Sequence, residues 1–94
     1  MTDARRSADW IPRLPRGVRL RYDRARDRWV LLAPERIFEL DDIGVEILKR
    51  CDGRTSAWEL SDSLAKAFAA EPEEVRADVE AFLSDFSDKR VLDL

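Results

Sequence analysis

Residues 18–40, with the sequence VRLRYDRARDRWVLLAPERIFEL, decide the fold class of this chain. At the start of the stretch, Val18, Leu20 and Tyr22 alternate with charged residues. Such alternation places every second side chain on the same side of an extended backbone, as in a strand with one buried face. The first element that the sequence predicts is therefore a β-strand.

Two further strands are predicted in the rest of the stretch. Residues 23–28 are polar apart from one alanine and predict a turn, and residues 29–32 form an apolar run of strand length. Pro34 predicts the end of this second strand, because proline has no N–H to donate to a ladder. Residues 36–40 are predicted as the third strand. Together the three strands predict an antiparallel meander.

From Asp41 onward the apolar residues recur at helical spacing. The first predicted helix begins at Asp41, a good N-cap, and ends at Asp52-Gly53, where glycine supplies the positive φ of a helix stop. The spacing of its apolar residues predicts an amphipathic helix whose inner face is formed by Ile43, Ile47, Leu48 and Cys51.

Two more helices have clear start signals. Residues 56–59, SAWE, match a capping box, and Pro72 suits the first turn of a third helix. A sheet with one face covered by three helices can bury a continuous core, so the sequence predicts an α+β fold. The inner positions are predicted to be Leu60, Leu64 and Phe68 in the second helix, and Val75, Val79, Phe82, Leu83 and Phe86 in the third.

A chain of 94 residues has enough apolar material for one core only. We expect a single domain over residues 17–94 and a flexible N-terminal arm over residues 1–16. Two prolines, Pro12 and Pro15, favour an extended backbone in that arm. Residues 91–94 are predicted to be a short strand or a packed tail.

The residue types that are missing exclude several classes of function. The chain has no histidine and one cysteine, Cys51, so it lacks the usual ligands of zinc, haem and iron-sulfur centres and the base of hydrolase triads. Its three glycines do not form a phosphate-binding loop. We therefore expect no enzymatic activity, no metal and no cofactor. No apolar run is long enough to span a membrane, and a cytoplasmic location is expected.

Several short segments along the chain form one ordered pattern. They are Val18-Arg19-Leu20, residues 31–36 (LLAPER), Leu40-Asp41, Asp52-Gly53, and Asp78-Val79 followed by Phe82-Leu83. In their order and spacing these segments resemble the PqqD family of peptide chaperones of pyrroloquinoline quinone (PQQ) biosynthesis, and the resemblance covers residues 12–94.

This resemblance implies a winged-helix-like domain that acts as a recognition element for ribosomally made and modified (RiPP) peptides. In the family, the partner is the precursor peptide PqqA, which is presented to the radical SAM enzyme PqqE for cross-linking of a glutamate to a tyrosine. The iron-sulfur clusters belong to that enzyme, so the resemblance implies no cofactor for this chain.

The residues themselves suggest how a peptide could bind. In a meander the third strand lies at an edge, where unpaired main-chain groups can accept an added strand. The apolar stripe of the third helix is the second wall of the predicted groove. The predicted peptide-binding residues are Arg36, Ile37, Phe38, Glu39 and Leu40 of the strand, and Val75, Arg76, Val79, Phe82, Leu83 and Phe86 of the helix.

The charge of the chain is divided along its length. Residues 1–36 carry ten arginines and five acids, whereas residues 37–94 carry seven basic and fifteen acidic residues. Charge runs usually form solvated surfaces. The functional alternative for the arginines of the predicted hairpin is docking to an acidic surface of the modifying enzyme. These arginines are Arg19, Arg21, Arg24, Arg26 and Arg28.

Two other functions are alternatives to peptide binding. A winged-helix-like fold could bind DNA, but the third helix is rich in acids, which would repel phosphate, so we expect no nucleic-acid partner. The edge strand or an exchanged N-terminal arm could instead pair two copies, which makes a homodimer possible. The role of Trp58 stays open between capping the core and facing a partner.

Overall fold

The structure, a computed structural model, describes residues 7–94. Three strands are followed by three helices, and a short 3₁₀ helix, Ser7–Asp9, precedes them. This order confirms the predicted α+β fold. None of the helices in the described range is long and apolar enough to cross a membrane. The elements are β1 (Arg19–Asp23), β2 (Arg28–Ala33), β3 (Arg36–Glu39), α1 (Asp42–Lys49), α2 (Ala57–Phe68) and α3 (Pro72–Asp88).

The strands form one antiparallel sheet in the order β1-β2-β3, as predicted for a meander. On its inner face, Leu31 of β2 lies opposite Leu20 of β1 and Phe38 of β3. Leu31 is completely buried because the helices cover this face. On the outer face, Val30 lies opposite Arg21 and Glu39, whose long side chains can cover it with their methylene groups.

The predicted helix starts are confirmed by their capping bonds. The side chain of Asp41 accepts a hydrogen bond from the backbone N–H of Gly44 at 2.8 Å. At the start of α2, Ser56 and Glu59 form both bonds of a capping box, at 3.2 and 3.0 Å. Each bond satisfies an N–H group that has no partner within the helix, so the local sequence determines where α1 and α2 begin.

Two residues that were predicted in the core are exposed. Ile43 lies in the first turn of α1 and is 45% exposed, while Val45 takes a place in the core. Phe68 is the last residue of α2 and is 49% exposed. Both residues have the correct helical spacing, but they lie at helix ends, beyond the region where the helices cover the sheet.

The predicted arm over residues 1–16 differs from the structure, because residues from Trp10 onward pack on the domain. The backbone carbonyl of Trp10 accepts a hydrogen bond from Ala57 at 2.8 Å, and that of Pro12 accepts one from Gly53 at 3.0 Å. Pro12 is fully buried, and Leu14 packs against the core. Residues 1–6 of the predicted arm lie outside the described residues.

The C-terminal residues explain why this segment is ordered on the domain. Arg13 and Asp93 exchange two backbone hydrogen bonds, each 3.0 Å long. Val91 and Leu92 are buried, so the end of the chain is the packed tail that was one of the two predicted forms. Sequence patterns could not show this pairing, because the two segments are 80 residues apart.

The end of α2 provides a test of backbone strain. Ala69 has left-handed backbone angles, φ 51° and ψ 44°, which are unfavourable for a residue with a Cβ atom. Ala69→Gly should raise the free energy of unfolding by about 0.5–1 kcal/mol, as measured by urea denaturation. The matched control is Ala67→Gly within α2, which should lower it by up to about 1 kcal/mol. Equal destabilisation by both changes would contradict this account.

The single thiol provides a second test. Cys51 is buried and its Sγ donates to the carbonyl of Ile47 at 3.2 Å. Burial, with a smaller contribution from the charge of Asp52, raises the pKa of Cys51 to about 12. Because the thiolate is the reactive form, Ellman's reagent at pH 8 should not modify the native protein and should modify it rapidly in guanidinium.

The raised pKa also predicts a dependence of stability on pH. Above pH 9 the thiol of the unfolded chain ionises while the native thiol stays protonated, so unfolding releases a proton. The contribution of Cys51 to stability is therefore complete below pH 9 and is lost progressively as the pH rises towards 12. Wild type should lose more stability than Cys51→Ala between pH 8 and 10.5; parallel losses would show that the thiol makes no such contribution.

Candidate functional site

The free edge of β3 is the first part of the candidate site. Within residues 7–94, β3 has a strand neighbour on one side only, which is β2. Leu40 donates its N–H to the carbonyl of Trp29 at 3.1 Å, so this residue bonds to β2. Along an antiparallel strand, residues that bond to the neighbouring strand alternate with residues whose main-chain groups point away from it. The N–H and C=O groups of Ile37 and Glu39 therefore point away from β2, and they give the free edge two donors and two acceptors.

The C-terminal half of α3 lies beside this edge. The rings of Phe38 and Phe86 are 5.7 Å apart, and Phe86 stacks on Phe82 with ring centroids 4.3 Å apart. Arg36 donates to the backbone carbonyl of Lys89 at 2.7 Å. These contacts join both ends of β3 to α3. They bring together Arg36, Phe38, Phe82 and Phe86, four of the residues predicted for the groove.

Other predicted residues lie beneath the groove or beside it. Val79, Leu83 and Phe86 are buried in the core, as is Leu40 at the end of β3, so these side chains support the groove from below. Ile37 is 50% exposed and projects from the outer face of the sheet, where it lies opposite Leu32. In the groove, Ile37 therefore offers its main-chain groups and not its side chain.

Arg76 is not close to β3. Its guanidinium group lies 4.3 Å from the ring of Trp58 and its Nη2 atom lies 3.2 Å from Asp62, so the side chain packs against α2. Arg76 is also ten residues before Phe86, which is about 15 Å along a helix. Trp58, whose role the sequence left open, is 47% exposed and faces solvent and Arg76.

A cavity of 150 Å³ lies where the start of α1, the end of α2 and the first half of α3 meet. Ile43 and Phe68, the two residues that were predicted in the core, form its exposed walls. Sequence reasoning assigned both to the core; the only sign of another role was their position at helix ends. The cavity, here called the junction pocket, is lined by Ile43, Leu64, Phe68, Ala70, Glu74, Val75, Asp78 and Val79.

The hairpin arginines form a basic surface on the outer side of the sheet. Arg28 pairs with Glu39 at 2.9 Å, and Arg26 pairs with Asp23 at 2.9 Å. The backbone N–H of Arg26, with its guanidinium group, holds the pKa of Asp23 below its ordinary value. In contrast, no ion pair within residues 7–94 involves three of the predicted docking residues. These three are Arg19, Arg21 and Arg24.

The fold and the site define a class of small α+β domain in which an unpaired sheet edge lies beside an apolar helix face. Residues 28–92 match the family model described as "Coenzyme PQQ synthesis protein D (PqqD)". This match covers more than half of the chain, and the chain belongs to the PqqD family. The resemblance inferred from the sequence is confirmed.

Relatives with assigned names are similar over most of the chain. A PqqA binding protein of Rhodopseudomonas palustris (strain HaA2) is 51% identical over 81 residues, which are 86% of this chain and 79% of that protein. The bifunctional coenzyme PQQ synthesis protein C/D of Methylorubrum extorquens is 47% identical over 83 residues. This match covers 88% of the present chain but only 22% of the bifunctional protein.

A solved structure shares the fold. It is the solution NMR structure of the PqqD truncation of Methylobacterium extorquens PqqCD, described as a functional and stand-alone RiPP recognition element. Its TM-score is 0.78 at 42% sequence identity, and the match covers 94% of this chain and 98% of that one. The RiPP recognition element that the resemblance implied is thus the description of a solved structure with the same fold.

Proposed function

We propose that this protein is a peptide chaperone of PQQ biosynthesis that binds the precursor peptide PqqA. Relatives with 48–51% identity are named PqqA binding proteins, and the structural neighbour is a RiPP recognition element. The observation that carries the proposal is the free edge of β3, where Ile37 and Glu39 present unpaired main-chain groups beside Phe82 and Phe86. An extended peptide adds to this edge as a fourth strand.

The chaperone itself performs no chemistry in this proposal. It presents the bound peptide to a radical SAM enzyme of the PqqE type in the cytoplasm, where a ribosomally made precursor is first available. The fusion named C/D in Methylorubrum extorquens supports contact with other enzymes of the same biosynthesis. Arg19, Arg21 and Arg24 are proposed to meet the enzyme, because they lie on or next to the outer face of the sheet and have no internal ion pair among the described residues.

Peptide binding is favoured over the two alternative functions. The second half of α3, which borders the groove, carries Glu80, Asp85 and Asp88, and this charge opposes docking to phosphate. Pairing of two copies through β3 would use the same main-chain groups as the peptide. Self-association and peptide binding would then compete, and sedimentation with and without PqqA separates these functions.

Proline substitution at the free edge tests the proposal. In Ile37→Pro the outward N–H is replaced by a ring, while the ladder to β2 keeps its bonds, because proline is tolerated at strand edges. Loss of one hydrogen bond of about 1 kcal/mol, together with contact between the ring and the incoming strand, should weaken PqqA binding at least tenfold. Isothermal titration calorimetry with synthetic PqqA measures this change.

Two controls separate the main chain from other effects. Ile37→Ala keeps the N–H and removes most of the exposed side chain, so it should bind PqqA within about twofold of wild type. Circular dichroism should show that Ile37→Pro is folded. If Ile37→Pro is folded and binds PqqA as well as wild type does, strand addition at β3 is wrong.

Charge reversal tests the enzyme-facing surface. The triple change Arg19→Glu, Arg21→Glu and Arg24→Glu should lower affinity for the PqqE-type enzyme roughly tenfold at low salt and less at high salt, since exposed charges are screened. Affinity for PqqA should stay the same. Arg54→Glu, an exposed arginine in the loop after α1, is the control. Unchanged enzyme affinity in the triple variant would remove this surface from the proposal.

A further inference from the structure

The junction pocket is an apolar cavity with a ready opening to solvent. Its floor is formed by Leu64 and Val79, which are 2% and 1% exposed, while its walls Ile43 and Phe68 are about half exposed. Large apolar side chains are costly to leave in water, and both of these belong to the same cavity. Their arrangement therefore favours an apolar group that enters from outside.

The pocket follows the free edge of β3 along a line of contacts with α3. Moving along the chain from Arg36 towards α1, the contacts on α3 move backward. Arg36 meets Lys89, Phe38 meets Phe86, and a Cβ atom built on Gly44 would lie 3.1 Å from Phe82. Val79 lies one further turn back on α3 and Val75 two turns back, and both share the junction pocket with Ile43, the neighbour of Gly44.

The length of this path matches a short extended peptide. From Lys89 to Val75 the chain rises through fourteen residues, or about 21 Å at 1.5 Å each. An extended strand covers about 3.3 Å per residue, so roughly six residues span the groove. A peptide that pairs with Ile37 and Glu39 can therefore continue past the start of α1 and place a side chain in the pocket.

The rim of the pocket is negatively charged. Glu74 and Asp78 both line the cavity at i, i+4 spacing on α3. Within the described part of the chain, neither has an ion pair. A position in the first turn of α3 accounts for Glu74 through the helix dipole, but Asp78 lies in the second turn, where that effect has faded. Two like charges four residues apart repel each other, and a cation between them would relieve the repulsion.

We propose that the junction pocket is a specificity site for the bound peptide: it takes one large apolar side chain, and an adjacent Lys or Arg of the peptide pairs with Glu74 and Asp78. A cavity near 150 Å³ is large enough for a benzene-sized group, so one aromatic or branched aliphatic side chain fits. This inference rests on the proposed function, because it concerns the same peptide that pairs with β3. It adds side-chain selection to a main-chain interaction that does not distinguish sequences.

Paired substitutions test the site with synthetic PqqA as the probe. Removing the walls in Ile43→Ala/Phe68→Ala should weaken PqqA binding about tenfold, and Trp58→Ala, an exposed aromatic elsewhere on α2, should leave it unchanged. Reversing the rim in Glu74→Lys/Asp78→Lys should weaken it five- to tenfold in low salt and less in high salt. Glu73→Lys, which does not line this pocket, is the matched charge control.

The outcomes separate this inference from the proposed function. If wild type binds PqqA, Ile37→Pro weakens binding and both pocket variants bind normally, the pocket is not a peptide site and only this inference fails. If wild type does not bind PqqA, the proposed function fails. The pocket variants could also bind PqqA normally but lose affinity for the PqqE-type enzyme or change their self-association in sedimentation. Such a result would assign the pocket to the enzyme or to a second copy of the chain, and it would overturn the inference. A PqqA variant with its pocket-filling residue changed to alanine should bind the wild-type protein weakly. Its affinity should not fall further when the protein carries Ile43→Ala/Phe68→Ala.

Discussion

The contact between Phe38 and Phe86 is the interaction on which the site depends. The two rings, 5.7 Å apart, join the inner face of an edge strand to the second half of α3, while Arg36 and Lys89 join the same two elements by a hydrogen bond. A strand held at one end only would leave its free edge in no fixed relation to the helix. With both contacts in place, a row of unpaired main-chain groups and an apolar wall face the same space, and an extended chain can use both together.

Most of the fold could be predicted because its determinants are local. The capping side chains of Asp41 and Ser56, and the alternation in β1, act over a few residues and were sufficient to place strands and helices. The site could be predicted in part, because the edge position of β3 follows from the order of a meander. The prediction of a flexible N-terminal arm failed because it depends on contacts between distant segments. Arg13 pairs with Asp93, and nothing near Arg13 in the sequence indicates that partner.

The misplaced residues have a common physical cause. Helical spacing identifies the side of a helix that faces the core, but it does not show how far along the axis the core extends. Ile43 and Phe68 lie on the correct sides and past the limit of the core, so they line a cavity at the surface. Arg76 shows the reverse problem, because it shares a helix with Phe86 but faces α2 and contacts Trp58. Periodicity therefore predicts core residues best in the middle of an element. At the ends of an element it assigns surface residues to the core.

The division of charge along the sequence becomes a division of surfaces in the fold. The arginine-rich hairpin places Arg19 and Arg21 on the outer face of the sheet, whereas the acidic half of the chain forms the helices on the other side. The groove runs between these two layers along β3. If a peptide occupies the groove and an enzyme meets the basic face, the two partners do not compete for the same atoms. A chaperone that delivers its peptide to an enzyme needs this separation, since a shared surface would require the peptide to leave before the enzyme could bind.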